Sequence, residues 1–73
     1  MTDYIIPMKS RTLAEKGRRN AKSAGISVEI VSVDRMRTKH GCAFGLRTSY
    51  VDLGKLTSLF DRRGIPYGDI IRD

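Results

Sequence analysis

Between Asp3 and Met8 the chain is apolar almost without interruption, and Tyr4, Ile5 and Ile6 favour β structure. Pro7 lacks a backbone donor, which suits a position near the end of that strand. The period then changes. Leu13, Gly17, Ala21 and Ala24 recur at helical spacing, while Lys16, Arg18, Arg19 and Lys22 fall mostly on the other faces. Thr12 and Glu15 fit a capping box, with Ser10 as the competing N-cap, and Gly25 is placed to end the helix. Ile26, Val28 and Ile30 alternate as a strand does. The phase shifts where Val31 and Val33 follow, which predicts a bulge or burial on both faces of a strand over Ile26 to Val33. A polar stretch from Asp34 to Gly41 reads as a loop. Cys42 to Arg47 alternates again, with Cys42, Phe44 and Leu46 on one side and Ala43, Gly45 and Arg47 on the other. Ser49 and Asp52 make a second capping-box-like start. Leu53, Leu56, Leu59 and Phe60 then form an amphipathic helical stripe that ends with Arg62, Arg63 and Gly64. Ile65 to Ile71 reads as a last strand, suited to a sheet edge by Pro66.

The predicted order is βαββαβ in one domain over residues 1–73. Its compact solution is a ferredoxin-like α+β sandwich, a four-stranded antiparallel sheet with two helices on one face. Right-handed crossovers set the third strand between the first and second, giving the spatial order 4-1-3-2. In that topology the end of the first strand, the start of the first helix and the start of the third strand meet. Lys9, Ser10, Arg11, Arg35, Arg37, Lys39, His40 and Cys42 are thereby collected at one end of the sheet.

Charge sharpens this picture. Fourteen Lys and Arg against eight Asp and Glu leave a net +6 on 73 residues. The excess suits an anionic partner or simply aids solubility. No apolar run approaches the ~20 residues of a membrane span, and the N-terminus has neither a basic stretch nor a cleavage site of the secretory kind. With one Cys no internal disulfide is possible, so a reducing, cytoplasmic setting is the default expectation. One Cys and one His are too few for a structural zinc site within the chain, and no cofactor is expected. A chain this short has room for one small core and little for a deep cavity. Paired carboxylates, a nucleophile with its base, and a phosphate loop are all missing from the pattern, which argues against an enzyme.

Cys42 carries the candidate chemistry. A thiolate is the reactive form of cysteine, and its pKa falls near cations and helix N-termini. Here the first helix would supply its N-terminal amides, and Lys9, Arg11, Lys39 and His40 the positive charge. Ser10 could donate to the sulfur or to a bound anion such as sulfide, selenide or phosphate. His40 could act as a base if it and Cys42 share one strand. The opposing reading is a buried structural cysteine, since Cys42 alternates with Phe44 and Leu46 in the core phase.

These residues resemble a known family, the small bacterial domains called Se/S carrier protein-like. The resemblance covers most of the chain. It rests on the strand ending in Met8-Lys9-Ser10, the helix ending in Ala24-Gly25-Ile26, the strand start Gly41-Cys42-Ala43-Phe44-Gly45-Leu46-Arg47, and the closing Gly64-Ile65-Pro66-Tyr67. It implies that Cys42 carries sulfur or selenium as a persulfide or selenosulfide, exchanged with a protein donor and acceptor. The Cys-Pro-x-Pro motif of better-known sulfur carriers is absent. Two other classes stay open. One is a nucleic-acid-binding module, with Arg35, Arg37, Arg18, Arg19 and Lys22 as its surface or that of another partner. The other is a regulatory or assembly module that dimerises through an edge strand.

Overall fold

The computed structural model describes residues 3–33 and 44–72. The polar stretch before Cys42, and Gly41, Cys42 and Ala43 themselves, lie outside the described residues. The elements are β1 (Asp3–Met8), α1 (Arg11–Ser23), β2 (Glu29–Ser32), β3 (Phe44–Ser49), α2 (Tyr50–Arg63) and β4 (Ile71–Arg72). The strands form one antiparallel sheet in the order β2-β3-β1-β4, the expected ferredoxin-like order read from the other edge.

Alternation along the strands sorts the core. Ile6 pairs with Leu46, and Met8 with Phe44. Ile6, Met8 and Leu46 are fully buried and share a core with Ala14 and Ala21 of α1 and with Leu56, Leu59 and Phe60 of α2. Each of the buried Ile, Met, Leu and Phe side chains contributes about 1.5–3 kcal/mol through burial. Ile5, Pro7, Gly45, Val31 and Val33 point to the opposite face, where Ile5 and Val33 are also buried. The shift at Ile30-Val31 is therefore burial on both faces, since the β2–β3 register runs from Glu29 to Ser32 without a bulge.

The helix boundaries differ from the sequence expectation in an informative way. Ser10, not Thr12, is the N-cap of α1, and its hydroxyl accepts from Leu13 N at 3.2 Å. Glu15 makes an exposed ion pair with Arg18 at 3.3 Å. Ala24 is exposed, and Ala14 takes the place expected for it on the buried face. At the start of α2, Ser49 makes no side-chain bond to the helix amides; its hydroxyl donates to Asp52 Oδ2 at 3.3 Å. The helix ends as expected, on Gly64 in the left-handed region.

Two strands are shorter than their apolar patterns. Ile26 and Val28 serve the core from irregular backbone before β2 begins. Likewise Ile65 is buried on the approach to β4, which pairs with β1 only through Ile71 and Arg72. Gly68 N donates to Pro7 O at 2.9 Å, which ties that approach to the end of β1. Tyr67 OH donates to Asp61 Oδ1 at 3.0 Å. Burial first, then the hydrogen bond and charge of Asp61, push the Tyr67 hydroxyl above the ordinary phenol value.

Thr48 is the one polar residue in the described interior, at 3% exposure, and its Oγ1 has no hydrogen-bond partner there. A hydroxyl desolvated without a partner costs about 1–3 kcal/mol. Thr48→Val keeps the β-branched shape and removes that cost. We expect it to raise the urea midpoint with the m-value unchanged, a gain of about 1 kcal/mol.

Candidate functional site

The end of β1 and the start of α1 form the described part of the predicted site. Met8 closes β1 opposite Phe44. Lys9 and Arg11 are exposed on either side of the half-buried Ser10. The register thus brings the Lys9-Ser10-Arg11 turn to the start of β3, as the topology required. Cys42 precedes Phe44 by two residues in the sequence. Cys42, His40, Lys39, Arg35 and Arg37 lie outside the described residues.

The electrostatics of this turn favour an anion. The first turn of α1 contains no acidic residue, and Arg11 opens it. The partial positive charge of the helix start, roughly half an elementary charge, is therefore reinforced rather than offset. Had Glu15 capped the helix with Thr12, a carboxylate would sit among the first amides. Its pairing with Arg18 holds it a turn further on. Ser10 uses one oxygen lone pair on Leu13 N and keeps its own proton to donate.

The remaining candidates, Arg18, Arg19 and Lys22, are exposed along α1 and lie apart from that turn in the helix. They belong to a wider charge pattern. Helix α1 holds five cations against Glu15, and α2 holds Lys55, Arg62 and Arg63 against Asp52 and Asp61, so the helical layer carries +5. Among the other described residues Lys9, Arg47 and Arg72 balance Asp3, Glu29 and Asp69. On the sheet, Arg47 pairs with Glu29 across β2 and β3. Sequence reading passed over Lys55 and took Arg62 only as a cation at the helix end; a sum of charge for each predicted helix is the signal that reveals their joint role.

Two open grooves lie in this layer. One, of about 400 Å³, is lined by Arg18, Lys22, Gly25, Ile26, Ser27 and Val28. The other, of about 510 Å³, is lined by Ala24, Ile26, Gly54, Lys55, Ser58, Leu59 and Arg62. A third of about 260 Å³ contains Asp3, Glu29 and Arg47 and is of mixed charge.

The sheet does not offer the stacking surface of an RNA-binding plait. Phe44 packs against the core, and Tyr4 shares its side of the sheet, with its ring 6.0 Å from that of Tyr50. The opposite face of the described strands has no aromatic residue. Among the described residues no cluster of three or more His, Cys, Asp or Glu side chains is arranged to hold a metal ion, and no helix is long and apolar enough to cross a membrane.

Comparison with known proteins identifies no matching family model, curated protein or solved structure.

Proposed function

We propose that this domain is a non-enzymatic sulfur or selenium carrier, or a thiol relay, that works through Cys42. The observation that carries the reading is the pairing of Met8 with Phe44. It sets the cationic turn Lys9-Ser10-Arg11 and the acid-free start of α1 at the end of β3 that Cys42 adjoins. Such a setting favours thiolate over thiol. It equally favours the terminal sulfur anion of a persulfide, or its selenium counterpart.

The transfer balances without an added oxidant. The Cys42 thiolate attacks the outer sulfur of a persulfide on a donor protein. A new S–S bond forms to Cys42, the donor's S–S bond breaks, and the donor cysteine leaves as its thiolate. The outer sulfur now rides on Cys42 as a persulfide. In a second exchange an acceptor cysteine thiolate attacks that outer sulfur and takes it as a new persulfide, and Cys42 leaves as its thiolate. Selenium follows the same path as a selenosulfide. Lys9 and Arg11 hold the anion, and the Ser10 hydroxyl donates to it.

The test is the rate of Cys42 alkylation against pH in the folded protein. The expected midpoint lies well below that of a free thiol, about 8.5, and Lys9→Ala with Arg11→Ala raises it. Treatment with a low-molecular-weight persulfide then adds the mass of one sulfur to the intact wild-type chain and none to Cys42→Ser. Alkylation that proceeds only after unfolding would identify a buried cysteine and end the carrier reading.

A further inference from the structure

We propose that the two basic grooves flanking Ile26 form one docking surface for an acidic segment of a partner protein. The surface does not include the Lys9-Ser10-Arg11 turn and does not depend on the carrier reading. Ile26 is common to both grooves, so they adjoin. Arg18 and Lys22 stand on one side and Lys55 and Arg62 on the other, and among the described residues neither lining includes a carboxylate. The floor is apolar: Ile26 is 8% and Leu59 5% exposed, and Val28 packs against the core.

Charge complementarity selects the occupant. Five of the six net positive charges lie in the helical layer that contains these grooves. Gly25 turns the chain out of the helix in the left-handed region, and a methyl group placed on it would meet nothing within 4 Å. Among the described residues Arg18 makes an exposed pair with Glu15, and pairs of that kind are weak and readily exchanged. A strand of nucleic acid fits less well. Sequence-tolerant binders of single strands stack bases on aromatic side chains, and among the described residues neither groove is lined by an aromatic. Cations around an apolar floor instead suit carboxylates that flank an apolar side chain, as on an acidic, amphipathic protein segment.

The experiment titrates the full chain at low and at physiological salt with three probes. They are a short synthetic peptide of glutamates around a central leucine, the same peptide with glutamines, and an oligothymidylate of equal charge. The glutamate peptide is expected to bind, with amide shifts centred on Lys22, Ile26 and Lys55, and the glutamine peptide is not. Lys22→Glu combined with Lys55→Glu should weaken binding by about tenfold or more. Lys16→Glu, on α1 but outside both grooves, should change it by about threefold at most. Cys42→Ser should bind as the wild type does, so the surface can stand if the carrier reading falls. Equal losses from Lys16→Glu and from the double variant would mean a diffuse charge effect and overturn the proposal. Tighter binding of the oligothymidylate at the same residues would overturn it in favour of nucleic acid. Failure of the glutamate peptide to bind at low salt, or loss of its binding in Cys42→Ser, would also overturn it.

Discussion

Phe60→Ala is expected to remove about 3–5 kcal/mol of stability, most of what a domain of this size possesses. Phe60 is fully buried and is among the largest such side chains in the described chain. It joins three parts of the fold. A methyl group placed on Gly17 of α1 would lie 3.3 Å from Phe60 Cζ, and the same methyl would meet Leu46 of β3 and Met8 of β1. The Phe60 ring also faces that of Tyr67 at 6.1 Å, on the segment leading to β4. Truncation leaves a cavity where these elements meet, and close-packed surroundings collapse into such a space only partly. Urea unfolding followed by circular dichroism checks the prediction. The alanine variant should be largely unfolded before denaturant is added, or unfold at a much lower midpoint. Phe60→Leu, which refills most of the volume, should lose about 1–2 kcal/mol. An alanine variant with a near-native midpoint would show that Phe60 does not tie the layers together.

The same contacts show why the sheet order was legible in the sequence and several boundaries were not. Gly17 belongs to the helical pattern that set the inner face of α1, and a methyl placed on it would meet Leu46, Met8 and Phe60. The stripe Leu53, Leu56, Leu59, Phe60 set α2, and the alternation of Phe44 and Leu46 with Gly45 and Arg47 set the faces of β3. Strand ends were less legible because apolar patterning reports burial, not pairing. Ile26, Val28 and Ile65 are buried or half-buried without being strand residues. The cap of α1 was ambiguous because Ser10 and Thr12 both satisfy the local rule. Glu15 had two partners within reach, and it pairs with Arg18. That outcome bears on the candidate site, since it keeps the start of α1 free of negative charge. The cationic helical layer was hidden for a different reason. Net charge is a property of the whole chain, and the excess on the helices over a balanced sheet emerges only when charge is summed element by element.

Gly45→Ala is expected to cost about 1–3 kcal/mol through overpacking, although alanine is otherwise the better residue in a strand. A methyl at this position would lie 2.6 Å from Ile5 Cγ2, 2.9 Å from Val33 Cγ2 and 3.2 Å from Ile6 O. The first two belong to β-branched side chains, which have little freedom to turn aside. The third is backbone in the adjacent strand. Relief must therefore come from separating β3 from β1 and β2. Gly54 is the control: a methyl there meets nothing within 4 Å, so Gly54→Ala should stabilise α2 by about 1 kcal/mol. Opposite shifts of the two urea midpoints are the expected result, and a neutral Gly45→Ala would mean that the sheet gives way easily. Separation at Gly45 also acts on the residue before it. Phe44 opposite Met8 is the pair that holds the start of β3 beside Lys9 and Arg11. If Cys42 is the carrier thiol and draws its charged form from Lys9 and Arg11, loosening that pair weakens their effect on it. In the fraction still folded, Gly45→Ala should then raise the pH midpoint of Cys42 alkylation, while Gly54→Ala leaves it unchanged. A raised midpoint would couple the strand register to thiol reactivity; an unchanged one would mean that the turn at Lys9 does not act on Cys42.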